Sequence, residues 1–258
     1  MIIDVHEHFG WEQNYLKLLL ESMDKGGIDK TCLSPLPPCF ESPDDKEVLK
    51  AAQSYPDRII PFGYIRLGED SPKTVSQLRE RGFKGLKIHT PPLNYDDPSF
   101  FPVYAAAEEA GLPILFHTGA VAVKSDKNTA RYNISSARMR PIFIDSIAKA
   151  FPDLKIIMAH LGMPWHDEAI IVLRYNPNVF ADLAIGHNYG VEDYSRSFFQ
   201  RAFAHPADLK QLVFGGSHFS HSNWILQKRY YELFDFLHIP EEIQKKILAG
   251  NIQEMLKI

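Results

Sequence analysis

Eight short apolar runs are spaced along this chain, and each is separated from the next by a stretch whose apolar residues recur at helical spacing. The runs are Ile2–Val5, Thr31–Leu36, Ile59–Tyr64, Phe83–Ile88, Pro113–Phe116, Leu154–Ala159, Val179–Leu183 and Gln211–Gly215. Runs of this length bounded by turn residues read as strands, and the longer amphipathic stretches as helices. The helical stretches are Tyr15–Met23, Lys46–Tyr55, Ser71–Glu80, Val103–Ala110, Pro141–Ala150, Glu168–Tyr175 and Ser195–Phe203, with Trp224–Phe236 and Glu241–Leu256 after the last strand. Glu109-Ala-Gly-Leu-Pro113 and Ala150-Phe-Pro-Asp153 carry the glycine and proline that stop a helix before the next strand. Parallel strands need long crossovers and a helix supplies one, so unbroken βα alternation argues a parallel sheet. Eight units in 258 residues fit an α/β fold, a (β/α)8 barrel of the TIM type forming a single domain over residues 1–258. An open doubly wound sheet is the weaker reading, because no glycine-rich phosphate loop follows the first strand.

Composition excludes several classes of function. With 45% hydrophobic and 23% charged residues the chain reads as soluble and globular. A net charge of -4 gives no electrostatic basis for binding nucleic acid or an anionic membrane. No apolar run reaches the ~18 residues of a membrane span. No basic, apolar leader precedes Ile2 and Ile3. The cysteines, Cys32 and Cys39, flank a proline-rich segment and read as reduced thiols. A cytoplasmic protein is expected.

The histidines are distributed unevenly. Nine of the eleven fall at an expected strand end or in the loop just after it. A barrel collects its chemistry at the carboxyl ends of its strands. Alternation along a strand places His6 and His8 on one face with Asp4, and Ile3 and Val5 on the other. Strand four carries Gly85, Lys87 and His89 on one face. Strands five, six and eight finish in His117, His160 and His218, and strand seven in Asp182. Imidazoles converging from separate strands are the donor set of a catalytic divalent ion.

Six segments together resemble the amidohydrolase superfamily, in the branch called amidohydrolase family 2. They are Asp4-Val-His-Glu-His8, Gly82-Phe-Lys-Gly-Leu-Lys-Ile-His89, Leu112-Pro-Ile-Leu-Phe-His-Thr-Gly119, Phe151-Pro-Asp-Leu-Lys-Ile-Ile-Met-Ala-His-Leu-Gly162, Asn178-Val-Phe-Ala-Asp182 and Ile247-Leu-Ala-Gly-Asn251. That branch includes aminocarboxymuconate semialdehyde decarboxylase-like enzymes, lactonases and other metal-dependent hydrolases. The resemblance implies a distorted barrel with one divalent ion held by His6, His8 and His117. It also implies that His160, beside the ion, polarises substrate or moves a proton.

Strand eight departs from the family pattern. The family ends that strand in Phe-Gly-(Ser/Thr)-Asp, the aspartate being metal ligand and proton acceptor, whereas this chain reads Phe214-Gly-Gly-Ser-His218. An imidazole in the carboxylate's place makes the centre one unit more positive, which acidifies bound water and favours an anionic substrate. Four imidazoles could instead close a tetrahedral shell, and closed shells are structural. His218 could also stand off the ion as a base, for which an ordinary imidazole pKa of about 6.5 is suited. An altered, inactive site is the remaining alternative. The reading adopted places His218 as both metal ligand and catalytic group.

Other polar residues have weaker claims. Asp182 orients a ligand histidine from behind. Arg66 either clamps a substrate carboxylate or forms a rim salt bridge. Lys87 forms a buried ion pair with Asp4 or Asp182. His89 and His187 contact substrate, with Tyr189 and His221 as further lining residues and His166 within reach. His205 and His238 read as surface or packing residues. The loop from Ala120 to Arg140 carries Lys124, Lys127, Arg131, Arg138 and Arg140, and is either a basic lid over an anionic substrate or solvated surface.

The expected activity is hydrolysis of a small ester, lactone or amide by metal-activated water. Nonoxidative decarboxylation of a small unsaturated or aromatic acid is the alternative, and a catalytically silent barrel binding a small molecule or partner is the alternative from another class. Zinc suits the imidazole donors best, with manganese, iron and cobalt compatible. The expected partner is a small anionic substrate, with no nucleic acid and no membrane; the resemblance inclines to a homodimer.

Overall fold

All eight expected strands form, and each pairs in parallel with the next in the order β1 to β8. They are β1 (Ile3–His8), β2 (Lys30–Ser34), β3 (Ile59–Ile65), β4 (Gly85–Ile88), β5 (Ile114–Phe116), β6 (Ile156–Met158), β7 (Val179–Asp182) and β8 (Leu212–Val213). The computed structural model describes every residue except 122, 124–132, 185–195, 205–208 and 218–222, and the side chains of 196–197, 223–224 and 226. His187, Tyr189, His205, His218 and His221, and Lys124, Lys127 and Arg131, therefore lie outside the described residues.

The crossovers are α1 (Tyr15–Gly26), α2 (Asp45–Ser54), α3 (Pro72–Arg81), α4 (Phe101–Ala110), α5 (Phe143–Ala150), α6 (His166–Tyr175) and α7 (Arg196–Ala202). After β8 come α8 (Asn223–Phe236), α9 (Glu241–Lys245), a π-helical turn over Lys246–Gly250 and α10 (Asn251–Leu256). Local chemistry sets the helix ends. The Asp44 carboxylate accepts from the backbone N–H groups of Lys46 and Glu47 at the start of α2, a cap worth about 1 kcal/mol. Gly111 ends α4 at φ 62, where a side chain would be strained, and turns the chain towards β5.

Two apolar clusters divide the barrel. Ile114 and Phe116 of β5, and Ile156 and Met158 of β6, join the larger cluster under the helices. The alternate residues Leu115, Ile157 and Ala159 join a smaller one with Ile3, Val5, Cys32, Phe62 and Val213, closed by Ala249, Ile252 and Met255. The smaller cluster is the barrel interior, plugged from below by α10. Ile3 and Val5 thus point inwards, where plain alternation would have set them opposite His6. The cause is a bulge: Asp4 pairs with Thr31 but Glu7 with Leu33, so β1 holds one residue more than β2 over that interval. A bulge re-aims the side chains beyond it.

The barrel closes without a full β8–β1 ladder. Val5 N–H donates to Phe214 O at 2.9 Å and Ser217 N–H to His6 O at 2.5 Å. Gly216 N–H donates to Asp4 Oδ1 at 2.8 Å. β8 is shorter than expected because Phe214 N–H turns to Ile247 O in the π-helical turn. The Asn251 carboxamide holds that segment in place, donating to Lys210 O and Leu212 O at 2.9 and 2.7 Å. Among the described residues no helix is long and apolar enough to cross a membrane.

Candidate metal centre

Five histidines gather where strands β1, β4, β5 and β6 end. Ring centroids are 4.7 Å apart for His6 and His8, 4.9 Å for His6 and His160, 5.0 Å for His160 and His117, and 3.9 Å for His117 and His89. All five are buried enough for desolvation to hold their imidazoles below the usual range; neighbouring rings and Lys87 add to the shift in four, while at His160 Asp182 and the Ala184 carbonyl oppose it. The rings are therefore neutral at pH 7, the form that ligates metal.

Hydrogen bonds fix how the first pair presents itself. His6 Nδ1 lies 2.9 Å from Asp182 Oδ2, so this nitrogen carries the proton and Nε2 is left as a lone pair. His8 Nδ1 lies 3.2 Å from Ser34 Oγ, whose own hydroxyl donates to Glu7 O at 3.3 Å. His8 Nδ1 is thereby the donor, and its Nε2 is also a lone pair. The two Nε2 atoms face each other at 3.0 Å. Two lone pairs at that distance repel unless a cation lies against both. Neighbouring nitrogens on one zinc ion, each about 2.0–2.1 Å from it, stand about 3 Å apart. The donor set fits a divalent ion.

The Lys87 ammonium supplies positive charge there, with Nζ 3.1 Å from His6 Nε2. The sequence expectation is an ion pair with Asp4 or Asp182; Lys87 Nζ meets the His6 imidazole instead, with the Asp182 charge still acting on it. Asp182 Oδ2 holds His6, and its Oδ1 accepts the N–H groups of His160 and Ala184 at 2.8 and 2.9 Å. Asp4 Oδ1 accepts from His6 N–H and Gly216 N–H. Burial pushes the Asp4 carboxyl up to about 7, against those hydrogen bonds. Burial brings the Lys87 ammonium down to about 7, opposed by the Asp182 charge. His6, His160 and Asp182 bring ligand-capable atoms within 4.8 Å of one another. Since both Asp182 oxygens are committed, we read that carboxylate as the support of His6. Gly215 makes this possible, since a Cβ there would stand 2.7 Å from Asp182 Cβ.

His160 sits at φ 61 and Leu161 at φ 44, a left-handed turn unusual for such residues. The turn carries His160 Nδ1 to Ala184 O at 2.5 Å, which leaves Nε2 as its free lone pair. His117 turns Nε2 towards Ala120 O at 3.3 Å, so its ring joins the cluster without pointing that nitrogen at the His6–His8 pair.

A family profile described as amidohydrolase matches residues 39–258. The chain belongs to the amidohydrolase family. Members of this family are metal-dependent and act on small molecules. Three solved structures are similar to this amidohydrolase over nearly its whole length. An uncharacterized TIM-barrel protein from Bordetella bronchiseptica matches with a TM-score of 0.77 and 20% identity, covering 99% of this chain and 98% of that one. A 5-carboxyvanillate decarboxylase from Novosphingobium aromaticivorans, complexed with manganese and 4-hydroxy-3-methoxy-5-nitrobenzoic acid, matches at 0.64 and 17%, covering 100% and 96%. A probable 2-pyrone-4,6-dicarboxylic acid hydrolase from Acinetobacter baumannii, with citric acid bound, matches at 0.66 and 14%, covering 100% and 99%.

The remaining expected site residues of this amidohydrolase are dispersed. Arg66 is half exposed and engaged on the surface by Glu69 at 3.1 Å and Asp70 at 3.4 Å, the salt-bridge alternative rather than the clamp. His166 Nδ1 donates to Leu161 O at 2.9 Å. Arg140 is paired with Glu168 and lies over the Trp165 ring at 5.6 Å. Residues that carried no signal in the sequence hold the cluster from behind. Three phenols meet the carbonyls of strand-end histidines: Tyr15 at His8 O (2.5 Å), Tyr64 at His89 O (3.1 Å) and Tyr95 at His117 O (2.8 Å). Tyr15 Oη also lies 2.9 Å from Glu7 Oε1. Nothing in a lone tyrosine of a helix start, a strand or a loop announces such a role.

Proposed function

We propose that this amidohydrolase hydrolyses a small ester, lactone or amide at a divalent ion held by His6, His8 and His117, with His218 in the place the family gives an aspartate. The observation that carries the reading is the pair of Nε2 lone pairs facing each other, each fixed by a hydrogen bond at the opposite ring nitrogen. Zinc is the ion these donors suit best, with manganese, iron and cobalt also compatible. Such an ion, when bound, acidifies water and polarises a substrate oxygen.

The chain's own groups do the rest. Asp182 keeps His6 in the Nδ1–H form and Ser34 does the same for His8. His160 is neutral, its Nδ1–H spent on Ala184 O, so Nε2 can take a proton from the attacking water and return it to the leaving group. The charge of a bound ion would favour an anionic substrate, and Lys87 adds to it in its protonated form. A basic rim would act in the same sense.

One observation favours nonoxidative decarboxylation as the second reading. Asp182 commits both oxygens, to His6 and to the N–H groups of His160 and Ala184, so it is not placed to deprotonate water. Loss of carbon dioxide needs no such base. Two measurements decide. Metal analysis after chelation and reloading should find one ion per chain, and a chain that takes up none sinks the enzymatic reading. Assays of lactones and esters against carboxylated aromatics, with release of carbon dioxide recorded, then separate the two reactions.

A further inference from the structure

His89 is buried, yet its Nδ1 has no hydrogen-bond partner; among buried side-chain atoms of the described residues only Ser22 Oγ and Thr31 Oγ1 share that condition. Those two are rotatable hydroxyls, whereas the His89 ring is held. It stacks on His117 at 3.9 Å and 20°, and the Phe40 ring meets it edge-on at 5.5 Å. Tyr64 Oη holds its carbonyl at 3.1 Å. The next residue, Thr90, sits at φ 47, a left-handed conformation that a β-branched side chain rarely adopts. Strain next to a fixed ring with an idle nitrogen marks a place organised for something other than packing. The ring also interacts electrostatically with Lys87, His8, His160 and His6, so the idle nitrogen belongs to the histidine cluster.

From the held ring, the unpartnered nitrogen and the strained residue beside it, we propose that His89 Nδ1 is a ligand-contacting group, donating to a carboxylate oxygen of the molecule bound beside the ion. This rests on the metal-site reading above and adds to it. The His6–His8 side holds the ion, and His89 orients what approaches it. The contact is a plain hydrogen bond, neutral N–H to anionic oxygen, and needs no co-reactant.

The test is calorimetric binding of benzoate to the zinc-loaded full chain and its His89→Asn, His89→Gln and His89→Phe variants. Asparagine sets an amide where Nδ1 stands, while glutamine sets it nearer Nε2. His89→Asn should keep benzoate affinity within about threefold, and His89→Gln and His89→Phe should lose roughly tenfold, the worth of one good hydrogen bond. Zinc content should be unchanged in all. Equal affinity in wild type and His89→Phe overturns the proposal, as does absence of benzoate binding by the wild type. Zinc loss in the His89 variants also overturns it, since His89 would then hold the ion itself. If His89→Phe does not fold, the contrast between asparagine and glutamine decides alone. A wild type that takes up no zinc sinks the metal reading, and benzoate affinities of the metal-free variants then still decide the role of His89.

Discussion

The two sides of the histidine cluster are finished to different degrees. On the β1 side both nitrogens of His6 and of His8 have neighbours: Asp182 and Ser34 behind, and each other, with Lys87, in front. On the β4–β5 side His117, which completes the proposed ligand set, is likewise fixed by Nε2 at Ala120 O, whereas His89 Nδ1 has no partner. Both sides are equally buried, so solvent does not make the difference. A resident ion demands fixed ligands, and second contacts fix them. A substrate that comes and goes needs atoms left unpaired until it arrives.

The largest effects should come from breaking the finished side. His6→Ala or His8→Ala should lower ion affinity by more than the roughly 10–100-fold that outer hydrogen-bond partners are worth. His89→Ala should leave ion content unchanged. Equal losses from both sides, measured by metal analysis after dialysis, would abolish the distinction. Asp182→Asn comes next. It keeps an acceptor for backbone N–H groups but weakens the hold on His6, and should cost roughly 10–100-fold in affinity with the fold intact by circular dichroism.

Much of this was legible in the sequence, for a definite reason. Alternation of apolar runs reports the barrel because each strand and helix must bury a face wherever the chain goes. Histidines at strand ends report the cluster because a barrel leaves its strand ends nowhere else to point. What stayed hidden depends on register and on long-range contact. The bulge in β1 shifts Ile3 and Val5 inwards, and no local pattern marks it. β8 shrinks because Phe214 prefers a partner in the C-terminal segment. Ser34, Tyr64 and Tyr95 matter only through the backbone atoms they happen to meet. Lys87 depends on long-range placement in the same way: its hydrogen bond goes to His6 while Asp182, held by backbone N–H groups, acts on it through charge.

Acid should test both sides together. The five imidazoles have folded-state pKa values below their unfolded ones, so the unfolded chain binds more protons and stability falls as pH drops below about 6.5. Asp4, raised to about 7, works the other way between its ordinary 3.8 and 7, and Asp182 in the same sense. Asp45, raised to about 6, joins the carboxyls and His166 the imidazoles; six groups outweigh three, and the net slope is loss with acid. Lys87, lowered from 10.5 to about 7, adds stability as pH rises across that window. The urea midpoint of the metal-free chain should therefore climb from pH 5 to 9, and Lys87→Met should flatten the part above pH 7. A midpoint that falls between pH 7 and 9 would contradict a buried, deprotonating lysine.

The smallest effect concerns the phenols behind the open side. Tyr95 is fully buried, its hydroxyl donates to His117 O, and its own carbonyl accepts from Tyr104 Oη at 2.8 Å. Tyr95→Phe removes one oxygen and leaves a buried carbonyl unpaired, a loss of about 1–2 kcal/mol. Tyr64→Phe removes a longer bond at a less buried site and should cost about half of that. If positioning is what these hydroxyls provide, benzoate affinity should fall with Tyr64→Phe, which frees the His89 carbonyl, and ion affinity with Tyr95→Phe, which frees that of His117. Stability losses without either change in binding would mean that the phenols hold the barrel together and leave the ring positions to packing alone.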